Sequence, residues 1–441
     1  MSTKQERAWE RLQKRESNQR IIREVEAAQK AFDKPDSALG LLYSRDFFPL
    51  LVGDFGRAGL VGEKRNALVT WLVGTSRLLR KPLNEIAKGR SSSGKNHLVR
   101  TVLKFFPQDA IVQATSLSQR AINYLGPDAL SHKILYVDEL SSENRNHPVR
   151  QLISEGRVIH RVPVMKNGRW VTEEIVTEGP VACITTTTAT ALKIDDESRN
   201  FSVWINESYG QTKAIAKSFV ASDCTTSLEP GRLALWHAVQ QLIARISEVP
   251  VEVPPWFELV VEKILPYGDL RIRRYWPAFL DANRLVCMVR NANRGKKDIE
   301  RRNGLTISFE DFAITTHIFD RTIAESLVRS GRDEDLAVAD IVGSLMATGL
   351  YRSGISAGNL VGQPGISSLD KAYRLLSRAE QAGTIFRSNR PAKNNEKLYM
   401  RSAGATFLGD PVVIAQKLGL KIAGTYVHPI NGKSCSYGKQ R

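Results

Sequence analysis

Gly89-Arg90-Ser91-Ser92-Ser93-Gly94-Lys95-Asn96 has the spacing of a phosphate-binding loop, G-x-x-x-x-G-K-[ST], with Asn96 where a hydroxyl residue is expected. Such a loop, set between a strand and a helix, aims backbone N–H groups and the positive helix end at a polyphosphate. Lys95 adds a mobile cation for the outer phosphates. On this reading Gly89, Ser91, Ser92, Ser93, Gly94, Lys95 and Asn96 line a nucleotide site, and a plain surface turn is the alternative. Further on, Lys133-Ile134-Leu135-Tyr136-Val137 reads as a buried strand ending in Asp138-Glu139. Beside the loop, Asp138 and Asn96 would hold Mg²⁺, and Glu139 would orient and deprotonate an attacking water. A solvated acidic turn is the plainer alternative.

Two later stretches bear on the same chemistry. Val181-Ala182-Cys183-Ile184 runs into Thr185-Thr186-Thr187-Thr188, where one hydroxyl can face the phosphates or the run can simply reflect β propensity. Asp195-Asp196-Glu197-Ser198-Arg199 ends in a cation. Arg199 is either a surface ion-pair partner or, in a ring, an arginine reaching a neighbour's γ-phosphate.

These groups need a scaffold. Near-continuous apolar runs at 83–87, 110–114, 133–137, 181–186 and 201–205 predict parallel strands covered on both faces. Helical spacing falls at 63–79, 97–106 and 148–155 between them. Residues 157–165 and 169–176 flank Asn167-Gly168, a strong hairpin signal. The hairpin carries Arg157, His160, Arg161, Lys166, Arg169 and Trp170, so it is either a solvated basic surface or a loop touching a nucleic-acid backbone. Helices at 211–220, 232–246, 256–264, 271–289 and 309–329 would include a lid, with Arg271, Arg273 and Arg274 opening its second helix. From about residue 333, helix, helix and hairpin follow in winged-helix order. Lys371, Arg374 and Arg378 recur at helical spacing there, and Arg387, Arg390 and Lys393 decorate the hairpin, for DNA contact or protein docking. A charged helix at 3–32, short helices at 38–80, a helix at 411–418 and a disordered end at 432–441 complete the expectation.

A formal net charge of +17 points to a polyanionic partner, most often nucleic acid, without implying sequence preference. Cys183, Cys224, Cys287 and Cys435 are scattered, which fits a reducing, cytoplasmic setting and argues against zinc or a disulfide framework. The seven histidines lack ligand spacing. No apolar run has the length of a membrane span and no signal peptide opens the chain, so no membrane partner is expected.

Taken in order, GRSSSGKN, KILYVDEL, the hairpin insertion, GPVACITTTT and DDESR followed by FSVWINESYGQTKAI resemble the AAA+ ATPases. More closely they resemble the minichromosome-maintenance-like helicase modules of bacterial mobile elements, which are often associated with primases. The resemblance covers about residues 60–330. It implies an α/β fold, a P-loop AAA+ core at 63–249 with a helical lid at 250–332; the residue pattern outside it adds N-terminal helices at 1–62, a winged-helix domain at 333–402 and a tail at 403–441. The resemblance further implies ATP and Mg²⁺ as cofactors, a homo-oligomeric ring, expected to be a hexamer, and translocation on single-stranded or forked DNA in the ring's channel, in replication of a mobile element or phage. A primase or other replication protein would be a partner. By resemblance the hairpin is the pre-sensor-1 hairpin, gripping DNA through Arg161, Lys166 and Arg169. Thr187 is favoured as sensor 1, Arg199 as the arginine finger and Arg273 as a nucleotide contact. Asn96, and a threonine where related rings commonly have asparagine, depart from the pattern. A DNA-bound loader, initiator or defence-system ATPase shares every motif, and Asn96 also suits a nucleotide-gated scaffold that does not hydrolyse.

Overall fold

A computed structural model of the chain describes residues 37–115, 126–139, 147–166, 168–189, 197–221, 228–267, 270–292, 303–328, 354–381, 385–387, 397–401, 407–420 and 422–437, with isolated positions between 297 and 351. The expected helix at 3–32, Asp195, Asp196, Arg390 and Lys393 lie outside the described residues.

Seven strands lie in the first half of the chain: β1 (Glu85–Lys88), β2 (Ile111–Ala114), β3 (Lys133–Val137), β4 (Arg157–Lys166), β5 (Arg169–Glu178), β6 (Val181–Thr187) and β7 (Phe201–Trp204). Five of them form one parallel sheet in the order β2-β3-β6-β1-β7. Strands β1 and β6 are buried along their whole length, as central parallel strands must be, and β2 at the edge is half-exposed. Strands β4 and β5, ten residues each, pair with each other, antiparallel, as a hairpin.

The sheet is covered by helices. In the first half these are α1 (Ala38–Tyr43), α2 (Phe47–Arg57), α3 (Lys64–Thr75), α4 (Lys95–Leu103) and α5 (His147–Glu155); α6 (Tyr209–Ala221) follows, with most of its residues exposed. Ser37 starts α1 by accepting the Gly40 N–H at 3.1 Å. Residues 67–75 of α3 are buried on every side, so the helix shows no polar face to mark it in sequence. Then come α7 (Pro230–Ala244), α8 (Trp256–Lys263), α9 (Ile272–Asn291) and α10 (Phe309–Val328), with β8 (Val251–Glu252) paired in parallel to β9 (Leu305–Thr306). Phe201 on β7 meets Tyr275 of α9 and Phe319 of α10, with ring centroids 6.3 and 5.1 Å away.

One apolar cluster runs from α1 through the sheet to α10, so no break in the core falls at residues 62 or 249. The same cluster takes in the chain's end. Helix α13 (Pro411–Leu418), β12 (Gly424–Val427) and β13 (Ser434–Tyr437) fold back onto α10; β12 and β13 pair antiparallel. Asp320 accepts the Leu408 and Gly409 N–H groups at 2.5 and 3.0 Å, and the Tyr437 ring lies 4.6 Å from Phe309. The expected disorder from 432 is therefore corrected up to Tyr437. Ser434–Tyr437 becomes a strand there by pairing with β12, and its Tyr437 packs on Phe309 of a helix distant in sequence. Preceding this, α11 (Ala357–Leu360), α12 (Leu369–Gln381), β10 (Ile385–Arg387) and β11 (Tyr399–Arg401) enclose a separate cluster around Val342, Ile355, Leu360, Leu376 and Tyr399.

A buried acid sits under the site. Glu85, fully buried at the start of β1, accepts the Thr70 hydroxyl at 2.8 Å through Oε1, and its Oε2 has no hydrogen-bond partner. Burial pushes its carboxyl up from 4.5 to about 8. A carboxyl with a higher pKa folded than unfolded takes up a proton on folding. Its favourable contribution is complete below 4.5 and is lost as pH rises through 8, at no more than about 1.4 kcal/mol per pH unit. Glu85→Gln is expected to flatten the fall in Tm between these limits. A Tm difference from wild type that stays constant with pH would refute this.

Candidate functional site

The phosphate loop leaves the carboxyl end of β1. At Gly89 a side chain would collide with Ser93 Oγ, 2.6 Å from the position of a Cβ. Gly94 adopts φ +96°, a left-handed turn that lets α4 begin at Lys95, two residues before the expected start. The Lys95 ammonium donates to the Gly89 and Arg90 carbonyls at 2.8 and 2.7 Å. Burial lowers its pKa, opposed by the charges of Glu207 and Glu139. Ser91 and Ser92 are exposed, whereas Ser93 Oγ is buried without a hydrogen-bond partner. Glu207, from the β7–α6 loop, accepts the Arg90 N–H at 2.5 Å. No motif announced Glu207, because it reaches the loop only through the pairing of β7 with β1.

Asp138 and Glu139 follow β3, which β6 separates from β1. Asp138 is buried; its Oδ2 accepts from Arg100 of α4 at 2.5 Å, and its Oδ1 is buried with no hydrogen-bond partner. The nearby Tyr136 phenol is pushed up by burial and by the Asp138 charge. Glu139 is exposed.

Strand alternation sorts the threonines. The Thr185 hydroxyl donates to the Glu85 carbonyl at 3.4 Å, and Thr187 Oγ1 accepts the Ala189 N–H at 3.1 Å. The Thr186 hydroxyl lies 2.9 Å from Asn96 Oδ1 and also contacts the Asp138 carbonyl. Thr186, rather than the favoured Thr187, thus meets both Asn96 and Asp138. Carboxylate, carboxamide and hydroxyl oxygens are the donors that a hard cation such as Mg²⁺ takes, and the unpartnered Asp138 Oδ1 fits one. Among the described residues no group of three or more His, Cys, Asp and Glu could hold a metal.

Residues 197–199 join three elements. Glu197 forms a buried ion pair with Lys88, the residue before Gly89, and accepts the Ser202 hydroxyl at 3.2 Å. Ser198 receives a bond from Arg274 of α9, and Arg199 Nε donates to Ser154 Oγ of α5 at 2.8 Å. Arg271 binds the Ser326 and Leu327 carbonyls. Arg273, expected at the nucleotide, is exposed at the start of α9, so Arg274 is the member of this trio that reaches the 197–199 segment.

The expected DNA-contacting residues fall on two other surfaces. Arg161 lies along β4, where it pairs with Glu174 at 3.0 Å, and Lys166 and Arg169 are cross-strand partners at the hairpin tip. On α12, Lys371 and Arg374 are exposed and Arg378 is half-buried; Arg387 ends β10.

A glycine loop and its lysine at the end of a central parallel strand, followed by a helix, with an acidic strand end beside it, define a P-loop nucleotide-binding domain of the NTPase class. A family model described as the MTBMA_p00010 P-loop domain matches residues 36–229. That span takes in α1 to α6 and the whole five-stranded sheet. No curated protein matches the chain. Among the described residues no helix is long and apolar enough to cross a membrane.

Proposed function

We propose that the chain is a ring-forming AAA+ ATPase that moves along DNA, acting as a helicase in replication of a mobile element. The observation that carries this reading is the placement of β6 between β1 and β3, which sets Thr186 beside both Asn96 and Asp138. The loop N–H groups, the Ser93 hydroxyl and the Lys95 ammonium bind the ATP phosphates. Asp138 and Asn96 hold Mg²⁺, which when bound offsets the phosphate charge. Glu139 accepts the proton of the attacking water, and the Thr186 hydroxyl orients that water or the terminal phosphate. Arg199 acts on the nucleotide of a neighbouring copy. The hairpin cations Arg161, Lys166 and Arg169 hold phosphates of DNA, and Lys371, Arg374, Arg378 and Arg387 form a second contact on a winged helix. The net charge of +17 supports a polyanionic partner.

Steady-state phosphate release with and without DNA, read beside particle mass by mass photometry, tests the proposal. DNA-stimulated release from an assembled particle is expected, and strand displacement then separates a helicase from a loader. Two observations favour a second reading, a nucleotide-gated scaffold. Arg100 already occupies Asp138 Oδ2 at 2.5 Å, and Asn96 replaces the usual hydroxyl. Nucleotide binding without release in that assay would select it. Under either reading Lys95→Ala is expected to weaken binding of a fluorescent ATP analogue about 100-fold, the loss of one or two charge-assisted hydrogen bonds at ~1.5–3 kcal/mol each. Unchanged affinity would place the phosphates elsewhere.

A further inference from the structure

The β4–β5 hairpin stands off the body of the protein. Val158 and Thr177, cross-strand partners near its base, are buried, and beyond them no described hairpin side chain is. At the far end Met165 and Trp170 lie directly opposite each other, 59% and 69% exposed. An indole this open, with a thioether at the cross-strand position near the end of a projecting arm, has no core to serve.

Charge along the arm is sorted. Residues 165–170 hold two cations, Lys166 and Arg169, and no acid. The acids Glu173, Glu174 and Glu178 begin three residues below Trp170 and continue to the base, and Glu174 is paired with Arg161. The protruding end is therefore cationic and aromatic, while the base is locally neutralised. A polyanion that carries flat, apolar rings fits that combination: the cations meet its phosphates and the indole face meets a base. Duplex DNA keeps its base faces inside the stack, so only an unpaired base can lie on the ring.

We infer that Trp170, with Met165 as its cross-strand neighbour, is a stacking platform for the unpaired bases of single-stranded nucleic acid. This rests on the nucleic-acid reading above and deepens it: phosphate contacts alone hold single and double strands alike, and Trp170 supplies the preference. Because its side chain is exposed and the hairpin ladder is main-chain bonded, replacing it leaves the fold intact, which unchanged binding of the fluorescent ATP analogue would verify.

The test is fluorescence anisotropy of the full chain with a labelled oligodeoxythymidylate and with a blunt duplex of the same length. Trp170→Ala is expected to weaken the single strand about 5- to 100-fold while leaving the duplex and the salt dependence unchanged. Trp170→Phe, which keeps a ring, is expected to recover most of the loss. Equal oligodeoxythymidylate affinity of wild type and Trp170→Ala would overturn the stacking role while leaving the nucleic-acid reading in place. A fall in particle mass at unchanged affinity would overturn it too, by assigning the tip to a second copy of the chain. Wild type that binds neither probe would overturn the nucleic-acid reading and the platform with it.

Discussion

Glu139→Gln is expected to leave nucleotide binding near wild type and to slow phosphate release about 10²- to 10⁴-fold, the usual contribution of a positioned general base. Glutamine keeps the shape of the side chain and removes its capacity to take a proton. Glu139 stands at the end of β3, exposed, and close enough to Lys95 for its charge to act on the ammonium. The buried neighbour Asp138 is engaged by Arg100 and suits a structural or metal-holding role instead. Single-turnover phosphate release together with affinity for a fluorescent ATP analogue checks the expectation. Undiminished release would move the base to another residue. Weakened binding with unchanged turnover would show that Glu139 supports the loop through charge alone.

Lys88→Met is expected to be the most destabilising single change near the site, by about 3–5 kcal/mol. It would strand the Glu197 carboxylate, which is 2% exposed, without its cation. The Lys88 ammonium also lies 5.3 Å from the centroid of the Trp204 ring, so part of the loss comes from that contact. Removing both charges, as in Lys88→Met with Glu197→Leu, is expected to restore most of the stability, because an apolar pair carries no desolvation penalty. Urea unfolding of the three proteins measures the effect. A loss under about 1 kcal/mol for the single change, or a double variant no better than the single one, would contradict an uncompensated buried charge.

Much of the site was legible in sequence because its signals are local. The loop spacing, the apolar run before Asp138-Glu139 and the Asn167-Gly168 turn each depend on a few adjacent backbone angles, and each element appears within about two residues of expectation. Helix α13 falls at 411–418 as expected, since Asp410 caps it and Gly419 ends it within one short stretch. The end beyond it is not legible in this way, because β13 is held by pairing with β12 and by the contact of Tyr437 with Phe309 of α10.

By itself, then, the sequence determined the phosphate loop, the acidic strand end, the parallel α/β alternation and the hairpin with its basic tip. Tertiary structure alone decided the rest. Which threonine meets Asn96 is a question of strand parity, and one residue's slip turns a hydroxyl to the opposite face. The partnership of Lys88 with Glu197, the reach of Glu207 to the loop and the capture of Asp138 by Arg100 each join residues far apart in the chain. So does the apolar cluster that joins α1 and α10 to the chain's last helix and strands. Such contacts follow from which strands become neighbours in the sheet, an outcome of summed burial over the whole chain that no local pattern encodes.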